Sequence, residues 1–290
     1  MLLLREATAR ASRGGGIDPL AGLRIDDATA ARTIAELAGD DSEAAEASAA
    51  FGAAVDQARE VFRASLTQLS RFSLVARAAG LDEAEAEVFA LLCAVDLDPR
   101  RQRLVAYVND DVSHRRPTLH TLIRLFGPDH PGPLVVAADA RLRRAALVDV
   151  AEDGPWADRA VAVHPTVVWA LAGDGSGDPD LPAAAVTAGE PAGEAEGAPL
   201  VVVSGDDRIR RLQTAVAATA GSMFLLTPAP TESAGWSAVV REATLGCLGV
   251  VVEVDGELTI DGRRMIERAD HLAWALVSPH ELPIDQLPRR

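Results

Sequence analysis

The order of apolar and polar positions along the chain predicts two kinds of architecture. Between about residues 31 and 172, apolar residues recur at spacings of three, four and seven, as on one face of an α-helix. After residue 200, short apolar runs alternate with amphipathic helical segments. Continuous apolar strands joined by helices are typical of a parallel sheet that is covered on both faces. We therefore expect an α/β multidomain protein, with a helical region followed by a parallel-sheet domain.

Capping signals divide the helical region into separate helices. Asp82, with a Glu three residues later, has the spacing of a capping box, Pro99 lies at the first turn of the next helix, and Pro117 opens another. Two apolar segments, 146–150 and 160–163, flank a polar turn and predict a β-hairpin. Several helices followed by a two-stranded hairpin are typical of a winged-helix domain.

Composition also predicts the domain boundaries. Residues 1–30 are rich in Ala, Arg and Gly and are expected to be loosely ordered, and residues 31–172 form the helical region with the winged-helix domain. Residues 173–199 contain six acidic residues, no basic residue and little to bury, so they predict a flexible acidic linker. Residues 200–290 then form the α/β domain.

The charged residues exclude several classes of function. All 28 basic residues are Arg, which excludes Schiff-base chemistry and the ammonium group of a standard phosphate-binding loop. The net charge of −15 opposes nonspecific attraction to nucleic acid and to anionic lipid. Cys93 and Cys247 each lie in an apolar run and are predicted to be buried and reduced. No signal peptide or membrane span is evident, so we expect a soluble, cytoplasmic protein without membrane partners.

The junction between the first strand and helix of the α/β domain is where a phosphate-binding loop is expected. Aligned on G-x-x-x-x-G-K-[ST] from Gly205, the second glycine is replaced by Arg210, the lysine by Arg211 and the hydroxyl residue by Leu212. A β-carbon at position 210 blocks close approach of the backbone to phosphate, and Leu cannot ligate Mg²⁺. Hydrolysis of ATP by this chain alone is therefore not expected.

The neighbouring acidic residues also argue against ATP hydrolysis. Asp206 and Asp207 place negative charge where a triphosphate would bind, whereas Arg208 keeps some attraction for phosphate or lies on the helix surface. The third strand ends with Glu253 and Asp255, which are not the adjacent acidic pair that holds Mg²⁺ in ATPases. We predict no catalytic residue, no metal site and no cofactor, with ATP and Mg²⁺ binding only if the degenerate loop still functions. The vestigial nucleotide site would consist of Gly205, Asp206, Asp207, Arg208, Arg210, Arg211, Glu253 and Asp255.

One run of sequence resembles a known family. Residues 81–126, including DLDPR and AYVNDDVSHRRPT, resemble the amino-terminal region of certain bacterial Cdc48-like AAA+ ATPases, which are often encoded with contractile injection systems. The resemblance extends over about residues 70–278, with the α/β part similar mainly in layout. It implies a winged-helix domain before a degenerate first ATPase module, with hydrolysis performed by an intact second module that this chain does not include.

Three functions follow from these observations. The leading hypothesis is a non-catalytic regulatory or adaptor portion of an AAA+ ATPase that binds protein partners, itself or the remaining ATPase module. The first alternative is a DNA-binding winged-helix regulator, although the expected recognition helix, residues 118–126, carries only Arg124 as a basic residue. The second alternative is an AAA+ module that binds ATP with weak or no hydrolysis.

Overall fold

The computed structural model describes residues 48–127, 129–189, 200–218 and 223–283, together with a few single positions near either end. The predicted loosely ordered segment, residues 1–30, lies almost entirely outside the described residues. The helices are α1 (Ser48–Ser65), α2 (Arg71–Ala78), α3 (Glu83–Leu97), α4 (Pro99–Asn109), α5 (Leu119–Phe126), α6 (Arg141–Arg144), α7 (Pro165–Ala172), α8 (Arg208–Ala218), α9 (Ser233–Gly246) and α10 (Ile260–Arg268). The strands are β1 (Val148–Val150), β2 (Val161–Val163), β3 (Val186–Ala188), β4 (Leu200–Ser204), β5 (Phe224–Pro228), β6 (Gly249–Glu253) and β7 (Trp274–Ser278).

The chain forms two compact units whose segments alternate along the sequence. The first unit contains the chain up to Leu69, then Asp82–Ala140 and Val148–His164. The second contains Ser70–Leu81, Arg141–Leu147 and Pro165–Arg290. Helices α2, α6 and α7, which the sequence assigned to the helical domain, therefore group with the sheet.

Helix starts in the first unit follow the predicted capping signals. Asp82 accepts a hydrogen bond from the Glu85 N–H at 2.9 Å, and the Glu85 side chain accepts one from the Asp82 N–H at 3.0 Å. Pro99 begins α4 after the cap residue Asp98. These contacts satisfy backbone N–H groups that have no partner within the first helical turn, which explains why the boundaries were predictable.

The predicted hairpin is present as β1 and β2. The strands pair antiparallel, with Val148 opposite Val163 and Val150 opposite Val161. Val148, Val161 and Val163 are buried, whereas Val150 is half-buried. Helix α3 packs against β2. The hairpin thus closes the helical core on one side and projects the turn between its strands outward as a wing.

The second unit contains a five-stranded sheet in the order β3-β5-β6-β7-β4. Strands β5, β6, β7 and β4 run parallel, as the sequence predicted. Strand β3 is an additional antiparallel edge strand, paired with β5, so the sheet is mixed. Parallel strands covered on both faces explain the continuous apolar runs of the sequence.

Alternate residues of the central strands enter two different cores. Val250 and Trp274 pack with side chains of α9 and α10, including Trp236. Val251 and Ala275 point to the opposite face, where they meet residues of α8. Because a strand alternates its side chains with a period of two, one apolar run supplies both layers.

The predicted flexible linker, residues 173–199, differs from the structure in its described part. Residues 186–188 form β3, and Leu181 packs against the sheet core. The Asp178 carboxylate lies 2.6 Å from the Arg241 guanidinium, and both side chains are buried. These partners lie far away in sequence, so local composition did not reveal them; residues 190–199 lie outside the described residues.

The two cysteines have different environments. Cys93 is buried, as predicted, and burial raises the pKa of its thiol to about 12. The prediction is wrong for Cys247, which is exposed. Cys247 follows α9 in the left-handed conformation, with φ of 52°, and this turn takes its side chain out of the apolar row. Within the described part of the chain, no helix has the length and hydropathy needed to cross a membrane.

Candidate functional site

Helix α5, which the sequence analysis predicts to be the recognition helix, has its start fixed by a buried network. The Thr118 hydroxyl accepts a hydrogen bond from the Thr121 N–H at 3.1 Å, and the Thr121 hydroxyl accepts one from the Thr118 N–H at 2.8 Å. The Thr121 hydroxyl also donates to the side-chain carbonyl of Asn109 at the end of α4. Both threonines are buried. This network fixes the orientation of α5 relative to α4.

The segment before α5 is bonded to the wing. The Val161 N–H donates to the Pro117 carbonyl at 2.7 Å, and the Leu119 N–H donates to the Arg159 carbonyl at 3.1 Å. The short 3-10 helix Trp156–Asp158 in the wing also packs against α5. Helix and wing therefore form one continuous surface of the first unit.

The side chains on this surface do not suit a DNA phosphate backbone. Helix α5 exposes His120 and Ile123, whereas Arg124, its basic residue, donates a hydrogen bond to the Val108 carbonyl. The wing between β1 and β2 carries three carboxylates and one guanidinium. They belong to Glu152, Asp153, Asp158 and Arg159. Nonspecific binding to DNA depends on neutralising phosphates with several Lys or Arg side chains. The wing has an acidic excess instead, and the exposed basic residues nearest to it are Arg115 and Arg116, just before Pro117.

Large apolar side chains are exposed on α5 and on the two 3-10 helices that pack against it. Ile123 is 43% exposed, Trp156 is 53% exposed, and Leu134, on a 3-10 helix that packs against α5, is 68% exposed. We call these three residues the wing surface. The sequence analysis did not single them out; an aromatic residue in a polar turn was the available signal for Trp156. Exposed aromatic and aliphatic side chains near one element are characteristic of protein-binding surfaces.

In the second unit, the segment that the sequence analysis predicts to be a vestigial nucleotide loop lies between β4 and α8. The Gly205 N–H donates to the Ser278 carbonyl of the neighbouring strand β7 at 3.3 Å. One carboxylate oxygen of Asp207 accepts hydrogen bonds from the N–H groups of Ile209 at 3.0 Å and Arg210 at 3.2 Å. A bound phosphate would normally take up such helix N-terminal N–H groups. Here the protein's own carboxylate takes them up.

The acidic end of β6 is also neutralised internally. The Arg208 guanidinium donates from Nε and Nη2 to the two carboxylate oxygens of Glu253, at 2.7 and 2.8 Å. This pairing raises the pKa of Arg208 above its ordinary value. Both carboxylate oxygens of Glu253 are thus engaged by Arg208. The start of α8 and the end of β6 are therefore joined by an ion pair between their own side chains.

The remaining predicted site residues are distributed around this pair. Arg211, at the lysine position of the loop, donates to the Gly205 carbonyl, and Arg210 forms an exposed ion pair with Asp207 at 3.6 Å. Asp206 and Asp255 are exposed. Among the described residues, no group of three or more His, Cys, Asp or Glu side chains is arranged to hold a metal ion.

Comparison with known proteins identifies the first part of the chain. The family model described as "Winged helix domain, variant" matches residues 6–181, which is more than half of the chain. No curated protein and no solved structure matches the chain, and no match supports the resemblance to a Cdc48-like ATPase or to an injection system. A winged-helix domain indicates a regulatory role in binding DNA or protein. With its capped helices, its hairpin and this match, the chain belongs to the winged helix domain, variant, family.

Proposed function

We propose that this protein is a regulatory module that binds a protein partner through the wing surface, Ile123, Leu134 and Trp156. The single observation that carries the proposal is the chemistry of this surface: exposed apolar side chains beside an acidic wing. Exposed apolar side chains near acidic ones suit a protein partner that presents apolar and basic side chains.

The proposal is tested by co-purification from cells that express tagged variants of the full chain at equal levels. Ile123→Ser and Trp156→Ala each remove an exposed side chain from the wing surface and should weaken capture of the same partner by at least about ten-fold, because interface anchors contribute about 2 kcal/mol or more. Val61→Ser is the matched control, since Val61 is 65% exposed on α1. Equal capture by all variants would overturn the proposal.

The DNA-binding alternative is tested by fluorescence anisotropy with a labelled duplex at about 50 mM salt, where phosphate contacts are strongest. We expect no binding in the micromolar range. A variant with Glu152→Arg, Asp153→Arg and Asp158→Arg should gain weak, salt-sensitive binding, because it converts the wing from acidic to basic. Tight, salt-dependent binding by the unmodified chain would favour a DNA regulator.

We further propose that the α/β unit neither binds nucleotide nor catalyses a reaction, and that it accompanies the winged-helix domain as a non-catalytic domain. The bond from Arg208 to Glu253 and the cap formed by Asp207 support this proposal. Titration calorimetry with ATP or ADP and Mg²⁺ should give no heat of binding at millimolar concentration. Micromolar binding that is lost in Arg211→Ala would contradict it. The narrower hypothesis of an adaptor in a Cdc48-like AAA+ assembly depends on the sequence resemblance alone.

A further inference from the structure

The second unit contains a cleft that the proposed function does not use. It measures about 840 Å³ and lies among α2, α7, the loop of residues 173–179 and the end of α9. Clefts of roughly 300–1,000 Å³ are the size that holds a small molecule or a side chain with its flanking residues. The loop belongs to the segment that the sequence predicted to be a flexible linker.

The loop reads Gly-Asp-Gly-Ser-Gly and leaves the cleft open. Gly173 and Gly177 have φ of 112° and 79°, which residues with a side chain rarely adopt. A β-carbon on Gly177 would lie 3.8 Å from Glu242 Oε1, whereas one on Gly175 would meet nothing within 4 Å. The loop therefore turns beside Glu242 without side chains that would cover its carboxylate.

Three carboxylates line the cleft, and they differ in how they are satisfied. Asp178 forms a buried ion pair with Arg241, and Asp174 accepts hydrogen bonds from the Ser176 N–H and hydroxyl. Glu242 accepts one hydrogen bond, from the Asp178 N–H to Oε2 at 3.1 Å. In the described part of the chain, no guanidinium forms an ion pair with Glu242.

The environment of Glu242 is unfavourable for an unpaired negative charge. Burial raises the pKa of its carboxyl, the hydrogen bond from Asp178 lowers it, and the net pKa lies above its ordinary value. A half-buried carboxylate in a cleft gains most from a ligand that brings a positive charge and hydrogen-bond donors. Such groups in clefts are candidate binding residues.

An exposed indole lines the same cleft as the Glu242 carboxylate. Trp169 of α7 lines the cleft and is 64% exposed, whereas Trp236 and Trp274 are fully buried in the sheet core. Leu74 and Leu245 add apolar surface to the same cleft. A planar guanidinium stacks on an indole face and donates two parallel hydrogen bonds to a carboxylate, which a compact ammonium does less well.

We propose that this cleft binds an arginine side chain of a partner polypeptide, with the guanidinium paired to Glu242 and stacked on Trp169. The apolar residues at the cleft accommodate the aliphatic part of the arginine and its neighbours. The lining contains three carboxylates and one guanidinium, that of Arg71, which donates to the Ala170 carbonyl at 3.0 Å, so its net charge is negative and favours a basic segment over an acidic one. The site is separate from the wing surface, so either proposal can fail while the other holds.

The test uses the full chain and a labelled pentapeptide, acetyl-Ala-Leu-Arg-Leu-Ala-amide, with affinity measured by fluorescence anisotropy. The matched probe replaces Arg by citrulline, which keeps the shape and removes the charge. We expect the arginine peptide to bind at least about ten-fold more tightly, since a charge-assisted bidentate contact contributes about 1.4 kcal/mol or more. Equal affinity of the two peptides, or no binding of either at millimolar concentration, would overturn the proposal.

Variants assign the binding to this cleft. Glu242→Gln keeps an acceptor for the Asp178 N–H and should abolish the difference between the arginine and citrulline peptides. Trp169→Leu should weaken binding of the arginine peptide several-fold. Glu257 is an exposed carboxylate of the same unit, so Glu257→Gln should leave the affinity for both peptides unchanged. An undiminished preference for arginine in Glu242→Gln would place the site elsewhere and refute the assignment.

The rate of thiol modification at Cys247 gives an independent measure of binding in this cleft. Cys247 lines it and is exposed, whereas Cys93 is buried, so a thiol reagent should modify Cys247 selectively. Saturating arginine peptide should slow this modification, and the citrulline peptide at the same concentration should not. Equal protection by acetyl-arginine amide, at the affinity of the peptide, would identify a small-molecule site and overturn the assignment to a polypeptide.

Discussion

Replacing Asp178 by Ala should destabilise the second unit more than any exposed substitution, because it leaves a buried positive charge without its partner. Asp178 Oδ2 lies 2.6 Å from Arg241 Nε, and the two side chains are 0% and 4% exposed. The other oxygen, Oδ1, accepts the Asp180 N–H at 3.0 Å, and Arg241 Nη1 donates to the Ala146 carbonyl at 3.3 Å. Removing one member of a buried ion pair costs about 3–5 kcal/mol.

The assay is urea denaturation at pH 7, followed by the shift in tryptophan fluorescence as Trp236 and Trp274, which lie buried in the core of this unit, become exposed to water. We expect Asp178→Ala to lower the free energy of unfolding by about 3–5 kcal/mol with an unchanged dependence on urea. Asp174→Ala is the control, since this exposed carboxylate bonds only with its own loop, and its effect should stay within about 0.5 kcal/mol. A loss below about 1 kcal/mol for Asp178→Ala would refute the reasoning.

The Asp178 carboxylate should also make the stability of the second unit depend on pH. Burial raises the pKa of Asp178, the hydrogen bonds from Arg241 and from the Asp180 N–H lower it more, and the net pKa lies below its ordinary value. A lowered pKa in the folded state means that the stabilisation is complete above the unfolded pKa of about 3.9 and is lost as pH falls through the folded pKa. The unmodified chain should therefore lose stability below about pH 4 more steeply than Asp178→Asn. Parallel acid profiles of the two proteins would contradict this assignment.

Three further substitutions test local features of the fold. Gly262→Ala should destabilise the second unit by about 1–3 kcal/mol in urea, because the new β-carbon would lie 2.5 Å from the Trp236 ring; an unchanged midpoint would show that the core has room. Thr118→Ala removes the buried cap of α5 and should cost about 1–2 kcal/mol in thermal unfolding followed by circular dichroism, with Ser as the conservative control. Asp207→Ala uncaps α8 and should cost about 0.5–2 kcal/mol without creating ATP binding in calorimetry; a gain of micromolar binding would show that Asp207 was the obstacle to phosphate.

Elements determined by local physics were predictable from the sequence. The capping box at Asp82 satisfies backbone groups within three residues, and the proline at the start of α4 lies where a helix needs no N–H donor. The strands of the hairpin are nearby in sequence and are separated by a polar turn. The parallel strands of the second unit were predictable because burial on both faces requires uninterrupted apolar runs. The junction at Gly205 could be located for the same reason, since it directly follows one of these strands.

Features that depend on distant partners were not predictable. Asp178 lies in a segment of linker-like composition, and its burial follows from Arg241, which is 63 residues away. Strand β3 has three exposed residues and is held by backbone pairing with β5, which leaves no hydrophobic pattern in the sequence. Likewise, the pairing of Arg208 with Glu253 spans 45 residues, so the sequence showed where the loop departs from a phosphate-binding pattern but not that its charges are paired internally.

The central claim, that the winged-helix domain acts by contacting protein, is tested most directly by site-specific photocrosslinking in cells. A benzophenone amino acid is placed at Trp156 on the wing surface and, as a control, at Val61 on α1, which are 53% and 65% exposed. We predict a discrete adduct at position 156 that is destroyed by protease, resists nuclease, and disappears when Ile123→Ser is added. A nuclease-sensitive adduct at position 156, or adducts of equal yield at both positions, would contradict the account.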